Sequence, residues 1–480
     1  MKIVFGAILA VAGLVVLAVG AKRSRVALVI GTLLLALGGY NLYFGVKASR
    51  KEKEMIAFIA AAERGDVATV RRMADADPLF VNSIQRNEGA IVNRPLHAAA
   101  LGLHADVVDF LLSRGAIVDA ENNDGSTALH AAGDTVSYGD AAVPVKRAAT
   151  IRALLAHGAT VNAKDDRDRT PLMASAHDAT AVALLIEHKA DVKARDSSGR
   201  TALHYAVIAS GEHADAVAAL LDHGAEVDPR DRNGETPFLL AATNSAELET
   251  LVARGADTKT RDEKGQTALH RAAYMPRNLF SDLDALAVLC SCGLRPETRD
   301  HAGATPLSIA RERLSSETSH GWMQGRQRIV NFLSPDGACG RLIGASKDQR
   351  AFAVAEIRCA EDDRGGCEAL AWDYDSGRGT AIDKSRAAEV YDKTCRLGSQ
   401  WACANLAYNY DHGEGVAEDL ARAAALYGPA CDAGEMRACY NVALLYANGR
   451  GVAKDHARAV ALFRRACDAG DRDACEHAAR

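Results

Sequence analysis

The chain lacks the short motifs through which many enzymes carry their chemistry, and each absence removes a class. It contains no G-x-x-x-x-G-K-[ST] and no G-x-G-x-x-G, so there is neither a phosphate-binding loop nor a dinucleotide fingerprint. It contains no H-E-x-x-H of a zinc protease and no G-x-S-x-G of a serine hydrolase. Low-complexity tracts are also missing. A net charge of −5, with basic residues mixed among acids, argues against a nucleic-acid surface, which needs a field of one sign. What is present is a hydrophobic content of 48%, ample for a repeat core even after long apolar runs are subtracted. Nothing points to a cofactor, a metal or a small-molecule substrate.

Cysteine, by contrast, is placed with a period. Cys359/Cys367, Cys395/Cys403, Cys431/Cys439 and Cys467/Cys475 are each written C-x7-C, and each pair lies 36 residues from the next. The blocks between them repeat as well: Tyr374-Asp-Ser-Gly-Arg-Gly, Tyr410-Asp-His-Gly-Glu-Gly and Tyr446-Ala-Asn-Gly-Arg-Gly are each followed by Asp, an Arg-Ala pair and an aromatic. A period of this size marks stacked helix pairs. The pattern resembles the Sel-1-like repeat family of tetratricopeptide-like units over residues 341–480, and in particular its bacterial cysteine-rich members. That resemblance implies that the four C-x7-C pairs are disulfides. A glycine such as Gly434 would end one helix in the left-handed conformation and let the next begin at once. A corner of this kind can bring Cα atoms to the ~4.4–6.8 Å that a bridge requires. Eight buried, reduced cysteines are the alternative, and redox compartment decides between the two. Cys290, Cys292 and Cys339 are left over as the source of any free thiol, because Cys290-Ser-Cys292 is too close for a zinc ribbon and has no partner pair nearby.

The amino-terminal end carries two apolar runs, residues 3–20 and 26–46, separated by Ala21-Lys-Arg-Ser-Arg25. Each is long enough to cross a bilayer as a helix. Glycines at seven-residue spacing, Gly6, Gly13 and Gly20 on the first and Gly31 and Gly38 on the second, would let the backbones approach closely. Residues 1–54 are therefore expected to form a transmembrane hairpin. A cleaved signal ending at Val19-Gly20-Ala21 is the alternative. Lys2, Lys47, Arg50, Lys51 and Lys53 on the side of the hairpin ends, against Lys22, Arg23 and Arg25 in its loop, point to a cytoplasmic soluble part. The periodic cysteines point the other way, and the stronger regularity places the chain in a bacterial inner membrane with its soluble part in the periplasm.

Between these ends a tetrapeptide recurs: Arg94-Pro-Leu-His97, Thr127-Ala-Leu-His130, Thr170-Pro-Leu-Met173, Thr201-Ala-Leu-His204, Thr236-Pro-Phe-Leu239, Thr267-Ala-Leu-His270 and Thr305-Pro-Leu-Ser308. About 20 residues after each opening comes a helix end in the style of Leu111-Leu-Ser-Arg-Gly115-Ala116. The pattern resembles ankyrin repeats over residues 56–334, in about eight units counting a polar cap at Ala61–Val70. Residues 335–340 are then the only linker candidate. Threonine suits the cap of the first helix and proline its first position. The histidines recur one repeat apart, which favours a hydrogen bond to a neighbouring turn over a metal site. Met173, Leu239 and Ser308 interrupt that ladder, so their units should be looser or packed differently.

Two further ladders precede the tetrapeptides. Arg195, Arg230, Arg261 and Arg299 are candidates to read an acidic or phosphorylated partner. Asp165, Asp196, Asp231, Asp262 and Asp300, one residue after the charged position, suit the amides of their own turns. The long intervals arise from insertions at residues 133–147, 275–281 and 312–325. These carry Tyr138, Met275, Leu279, Phe280, Trp322 and Met323, candidates for a partner-binding edge.

The fold class expected is all-α: a transmembrane hairpin followed by two α-solenoids. The function expected is a membrane-anchored scaffold that binds protein or peptide partners and makes no bond. The alternative is an enzyme, since some cysteine-rich Sel-1-like proteins are described as penicillin-binding or weakly hydrolysing β-lactams. A serine hydrolase of that kind needs S-x-x-K, and none occurs in the 480 residues.

Overall fold

The computed structural model describes residues 50–478, apart from 88–89, 135–141, 210, 212, 275–280 and 318. Both expected membrane runs, residues 3–20 and 26–46, lie outside the described residues. Among the described residues no helix is long and apolar enough to cross a membrane. The chain divides into two compact units, Met1–Asn233 and Gly234–Arg480.

The first unit opens with helical residues 50–63 and the helix Val67–Ala76, which Asp66 caps by accepting from the Thr69 amide at 3.0 Å. Phe58 and Ile59 are buried here, so the amino-terminal cap is packed on the unit that follows. A small antiparallel hairpin, Gln85–Asn87 with Ala90–Asn93, is the departure from an all-α fold. Helix pairs follow: Pro95–Leu101 with Ala105–Ser113, Ala128–Asp134 with Val143–Ala156, Pro171–Ala174 with Ala179–Glu187, and Ala202–Ile208 with Ala214–Asp222. First helices pack on first helices and second on second from one pair to the next. Thr170 and Thr201 hold extended backbone just before their helices, and Pro171 takes a first-turn position where a missing N–H costs nothing.

Histidine ties successive pairs together. The Thr127 amide donates to His130 Nδ1 at 3.2 Å, so the proton is on Nε2, which donates to the Arg169 carbonyl at 2.9 Å in the next pair. His97 Nε2 reaches the Ser126 carbonyl at 2.8 Å. In the second unit His270 repeats the arrangement, accepting from the Thr267 amide at 3.1 Å and donating to the Ala304 carbonyl at 3.3 Å. Where the ring is replaced the packing changes. Met173 and Leu239 sink into the core, and their helices, Pro171–Ala174 and Pro237–Leu240, shorten to four residues against seven for Ala202–Ile208. Ser308 keeps a polar link, forming a reciprocal capping box with Thr305.

The second unit continues with Pro237–Leu240 and Ser245–Ala253, Ala268–Tyr274 and Ser281–Ser291, and Pro306–Ser315 and His320–Leu333. Four more pairs follow: Lys347–Ala360 with Arg364–Ser376, Lys384–Arg396 with Gln400–His412, Leu420–Asp432 with Met436–Asn448, and His456–Asp468 with Arg472–Ala478. The 36-residue motif is a clasp between these pairs. Asp383, Asp419 and Asp455 cap their helices by accepting from the amides of Arg386, Arg422 and Arg458 at 3.0, 2.9 and 2.9 Å. Their own amides donate back to the carbonyls of Tyr374, Tyr410 and Tyr446 at 2.9, 2.9 and 3.0 Å. The same three arginines lie over the same three tyrosine rings, 5.6, 4.6 and 4.4 Å from their centroids. The second glycine of the motif permits the approach: Gly415 has φ +71°, and a Cβ there would meet the Lys384 carbonyl oxygen at 2.0 Å.

Each C-x7-C pair is bridged. Cα separations are 4.3 Å for Cys359–Cys367, 4.7 Å for Cys395–Cys403, 4.6 Å for Cys431–Cys439 and 4.6 Å for Cys467–Cys475. The corners are thus tighter than the spacing suggested, the Cys359–Cys367 pair lying at the short edge of what a bridge spans. The four pairs are also less uniform than their period implies. Cys367 is fully buried, as are Cys431 and Cys439, whereas Cys475, in the helix Arg472–Ala478, is half-buried.

A fifth bridge corrects the sequence expectation. Cys290 and Cys339, expected as free thiols, are joined over a Cα separation of 5.2 Å and are both buried, leaving Cys292 as the free cysteine among those described. Spacing could not reveal this bridge, because it links the helix Ser281–Ser291 to the turn Cys339–Leu342, 49 residues away. The expected linker is thereby pinned. Glu249 fastens the next helix, accepting from Lys347 at 2.9 Å and Arg350 at 2.6 Å, and Arg328 pairs with Glu361.

Two outcomes are expected. Burial holds His97, His130 and His270 below the ordinary 6.5, so in the folded chain they stay neutral while the unfolded chain takes up protons. Their contribution to stability is therefore present above about pH 6.5 and is lost as pH falls through the lower native values. Ring titration by NMR should place His130 and His270 midpoints below 6.5, and midpoints above that value would contradict the neutral bridging role. Cys290→Ser with Cys339→Ser should lower the urea midpoint more than Cys431→Ser with Cys439→Ser. In the chain-entropy model a loop of about 50 residues contributes roughly 4 kcal/mol and one of about nine roughly 2.6 kcal/mol. A larger loss from the short loop would reverse that ordering.

Candidate functional site

The arginine ladder comes first, since its guanidinium groups are the strongest charged candidates. Arg195 donates to the carbonyls of Gly199 at 3.0 Å and Arg230 at 2.7 Å, and to Glu226 at 3.2 Å. Arg261 donates to the carbonyls of Gly265 at 2.8 Å and Arg299 at 2.9 Å, and Arg299 to that of Gly303 at 3.0 Å. Arg230 is likewise engaged within the protein. These bonds give the ladder a structural role at the turns, and the carbonyl bonds of Arg261 and Arg299 use Nη1 alone of the five N–H donors each guanidinium carries. The aspartates do what loop chemistry suggests. Asp196 accepts from the Ser198 and Arg200 amides, both at 2.8 Å, and Asp262 from the Lys264 and Gln266 amides, both at 2.9 Å.

The insertion edge is only partly described. Tyr138, Met275, Leu279 and Phe280 lie outside the described residues. The third insertion is not a loop: the helix Pro306–Ser315 runs into it and the helix His320–Leu333 carries Trp322 and Met323. Met323 is half-buried, and its amide donates to the Ser319 carbonyl at 2.9 Å.

A further candidate site is a cavity of about 410 Å³ among the cysteine-bridged helix pairs. Its floor comes from the second helices of two consecutive pairs, and the lining residues stand one repeat apart: Trp401 with Arg437, Ala404 with Tyr440, and Asn405 with Asn441. The disulfides fix these helices at their first turns, since Cys403 lies in one and Cys439 in the other. Tyr408 stacks on His412, with ring centroids 4.0 Å apart, and Trp401 meets Tyr391 edge-on at 5.6 Å. At one wall Lys384 bridges Asp375 at 2.7 Å and Glu414 at 3.1 Å, which neutralises most of its charge. The opposite wall carries Glu435, Arg437 and Asp471. Burial pushes the Tyr440 hydroxyl up, and Asp473, Asp471 and Glu476 push it further by opposing a second negative charge. Among the described residues no group of three His, Cys, Asp or Glu side chains is placed to hold a metal.

The period announces the positions that line this cavity, but the sequence reading passed over them. Trp401 falls between the two cysteines of its pair, and Asn405 and Tyr440 between the second cysteine and the following Tyr block. One repeat apart, Trp401 is matched by Arg437 and Tyr440 by Ala404, while Asn405 follows Ala369 and recurs as Asn441. A comparison of repeats for what varies, rather than for what recurs, would have marked them.

A family model described as ankyrin repeats (3 copies) matches residues 57–142, 140–231 and 209–300, together just over half of the chain. A second, described as Sel1 repeat, matches residues 402–435 and 437–471. That span is narrower than the 341–480 expected from the cysteine period. It takes in Cys403, Cys431, Cys439 and Cys467 and leaves out Cys359, Cys367, Cys395 and Cys475, although all eight are bridged alike. Among solved structures, the ankyrin repeat domain of Bcl-3, titled a unique member of the IkappaB protein family, is similar at 23% sequence identity. That likeness covers 49% of this chain and 98% of that one, with a TM-score of 0.35. No curated protein matches the chain.

If the arginine ladder holds turns, Arg261→Ala should destabilise by about 1 kcal/mol, the net worth of partly exposed hydrogen bonds from a charged donor. Arg261→Lys should recover only part of this, since an ammonium does not reproduce the planar fork that spans two carbonyls. Denaturation curves of the two variants provide the check, and an unchanged midpoint for the alanine variant would remove the role.

Proposed function

For this chain, which belongs to the ankyrin repeat family and carries Sel1 repeats behind that region, we propose the role of a membrane-anchored scaffold that binds protein partners without making or breaking a bond. In this reading residues 1–54 are a hairpin anchor, residues 56–334 an ankyrin region, residues 335–340 a junction and residues 341–480 a Sel1 region. The five disulfides support placing the soluble part in an oxidising compartment such as the periplasm.

The observation that carries the reading is the cavity at Trp401, Asn405, Tyr408, Tyr440 and Asn441. It combines aromatic faces with amide groups, a mix suited to an extended segment of another chain. Helix pairs held by disulfides keep it open, which reduces the ordering cost of binding. The insertion edge, with Met323 on the helix His320–Leu333, is proposed as a second contact surface. The enzyme reading gains no observation in its favour.

The test is site-specific photocrosslinking in intact cells, with the reactive residue at Tyr408 or Asn441 in the cavity and, as a control, at the exposed Arg396. Discrete adducts with other proteins are expected from the two cavity positions and not from the control. Equal, diffuse labelling at all three, or none at any, would defeat the scaffold reading.

A further inference from the structure

The cavity also carries a charge pattern, and this inference rests on the scaffold reading above while naming the chemistry of what binds. Four carboxylates line it, Asp375, Glu414, Glu435 and Asp471, against two cations, Lys384 and Arg437. Lys384 is held between Asp375 and Glu414, so that corner remains negative by one charge. Asp471 accepts from the Ala474 amide at 3.0 Å and is engaged there as a helix cap rather than in an ion pair. The Glu435 side chain makes no capping bond to the helix it precedes. Tyr440, whose hydroxyl feels the charge of Asp471, lines the same cavity, as does Trp401 from the helix Gln400–His412. A carboxylate pair next to aromatic faces suits a cation that is planar or spread over several atoms, because the rings attract it and the acids neutralise it.

Two features argue for a polypeptide rather than a bare cation. Asn409, which lines the same cavity, is 3% exposed, and its amide nitrogen has no hydrogen-bond partner within the protein. A buried donor left open in this way calls for an acceptor, which a peptide carbonyl supplies and a cation does not. Asn405 and Asn441 stand one repeat apart in the lining; their nitrogens donate to the Trp401 carbonyl at 2.9 Å and the Tyr427 hydroxyl at 3.1 Å, and their side-chain oxygens are acceptors for a backbone N–H of a ligand.

We propose that the cavity between the helices Gln400–His412 and Met436–Asn448 binds an extended peptide segment of a partner protein and seats an arginine side chain of that segment among Glu435, Asp471, Tyr440 and Trp401. Arg437 then sets direction, by repelling a second cation placed at the wrong distance.

The experiment uses the full chain in detergent and three fluorescein-labelled seven-residue peptides with alternating alanine, carrying arginine, glutamine or glutamate at the remaining positions. Fluorescence anisotropy is expected to show binding of the arginine peptide, weakening as salt is raised, with the glutamine peptide at least tenfold weaker and the glutamate peptide silent. Glu435→Gln combined with Asp471→Asn should weaken the arginine peptide about tenfold. Asparagine keeps the cap at position 471, so the fold is retained, and an unchanged melting curve verifies this. Tyr408→Ser, exposed and outside the acidic wall, serves as a second variant and should cost less than the double change. Equal binding of all three peptides, or an arginine peptide indifferent to the double change, overturns the proposal. Photocrosslinks from Tyr408 and Asn441 without any arginine-peptide binding would also overturn it while leaving the scaffold reading in place. Absence of both would sink the two together.

Discussion

The constraint on which the rest depends is that no repeat satisfies its own backbone. Each turn between helix pairs leaves carbonyls and amides that water would otherwise solvate, and in a stack the neighbour covers them. The chain answers with side chains that reach across one repeat. His130 reaches the Arg169 carbonyl, Arg195 that of Arg230, and Arg261 that of Arg299. In the bridged pairs the backbone does it directly, through the amides of Asp383, Asp419 and Asp455. A residue type that recurs once per repeat is therefore mostly a structural residue. The arginine ladder, which charge alone recommended as a recognition surface, thus also holds turns of the stack.

The two repeat regions meet the same demand with different chemistry. The ankyrin pairs rely on imidazole, guanidinium and carboxylate groups, each fitted to a specific carbonyl or amide. The pairs after residue 341 rely on a disulfide at one corner and a tyrosine–arginine clasp at the next. Short helix pairs rich in alanine bury little apolar area each, so a covalent corner contributes a large share of what holds them. The Cys290–Cys339 bridge extends the dependence back into the last ankyrin pairs. Redox state therefore bears on the junction as well as on the carboxy-terminal stack.

Much of the fold was legible because period is a property of sequence. The tetrapeptides placed the ankyrin pairs, and the C-x7-C spacing placed the bridged corners. The changed packing of Met173 and Leu239 could also be anticipated, since both lack the ring that ties neighbours. Other features escaped for physical reasons. The Cys290–Cys339 bridge joins positions that share no repeat register, and a single occurrence leaves no periodic trace. The third insertion resembled a loop because its residues interrupt the period, yet its helices extend to Ser315 and resume at His320. The fate of the arginines depended on carbonyl positions, which side-chain spacing does not encode.

The same division explains where recognition is left room. Along the bridged pairs, the clasps engage the tyrosine at the end of one helix and the arginine at the start of the next, and the disulfide engages the corner. Every recurring residue is thus committed, and commitment at both ends holds the second helices in fixed register. Among the positions left between, Trp401 becomes Arg437 and Ala404 becomes Tyr440 one repeat on, while Asn405 recurs as Asn441. A ligand that meets this floor encounters a repeated asparagine with a changed aromatic or charged neighbour at each step, while the backbone beneath repeats. Specificity in such a protein resides in the residues that break the period, and rigidity in those that keep it.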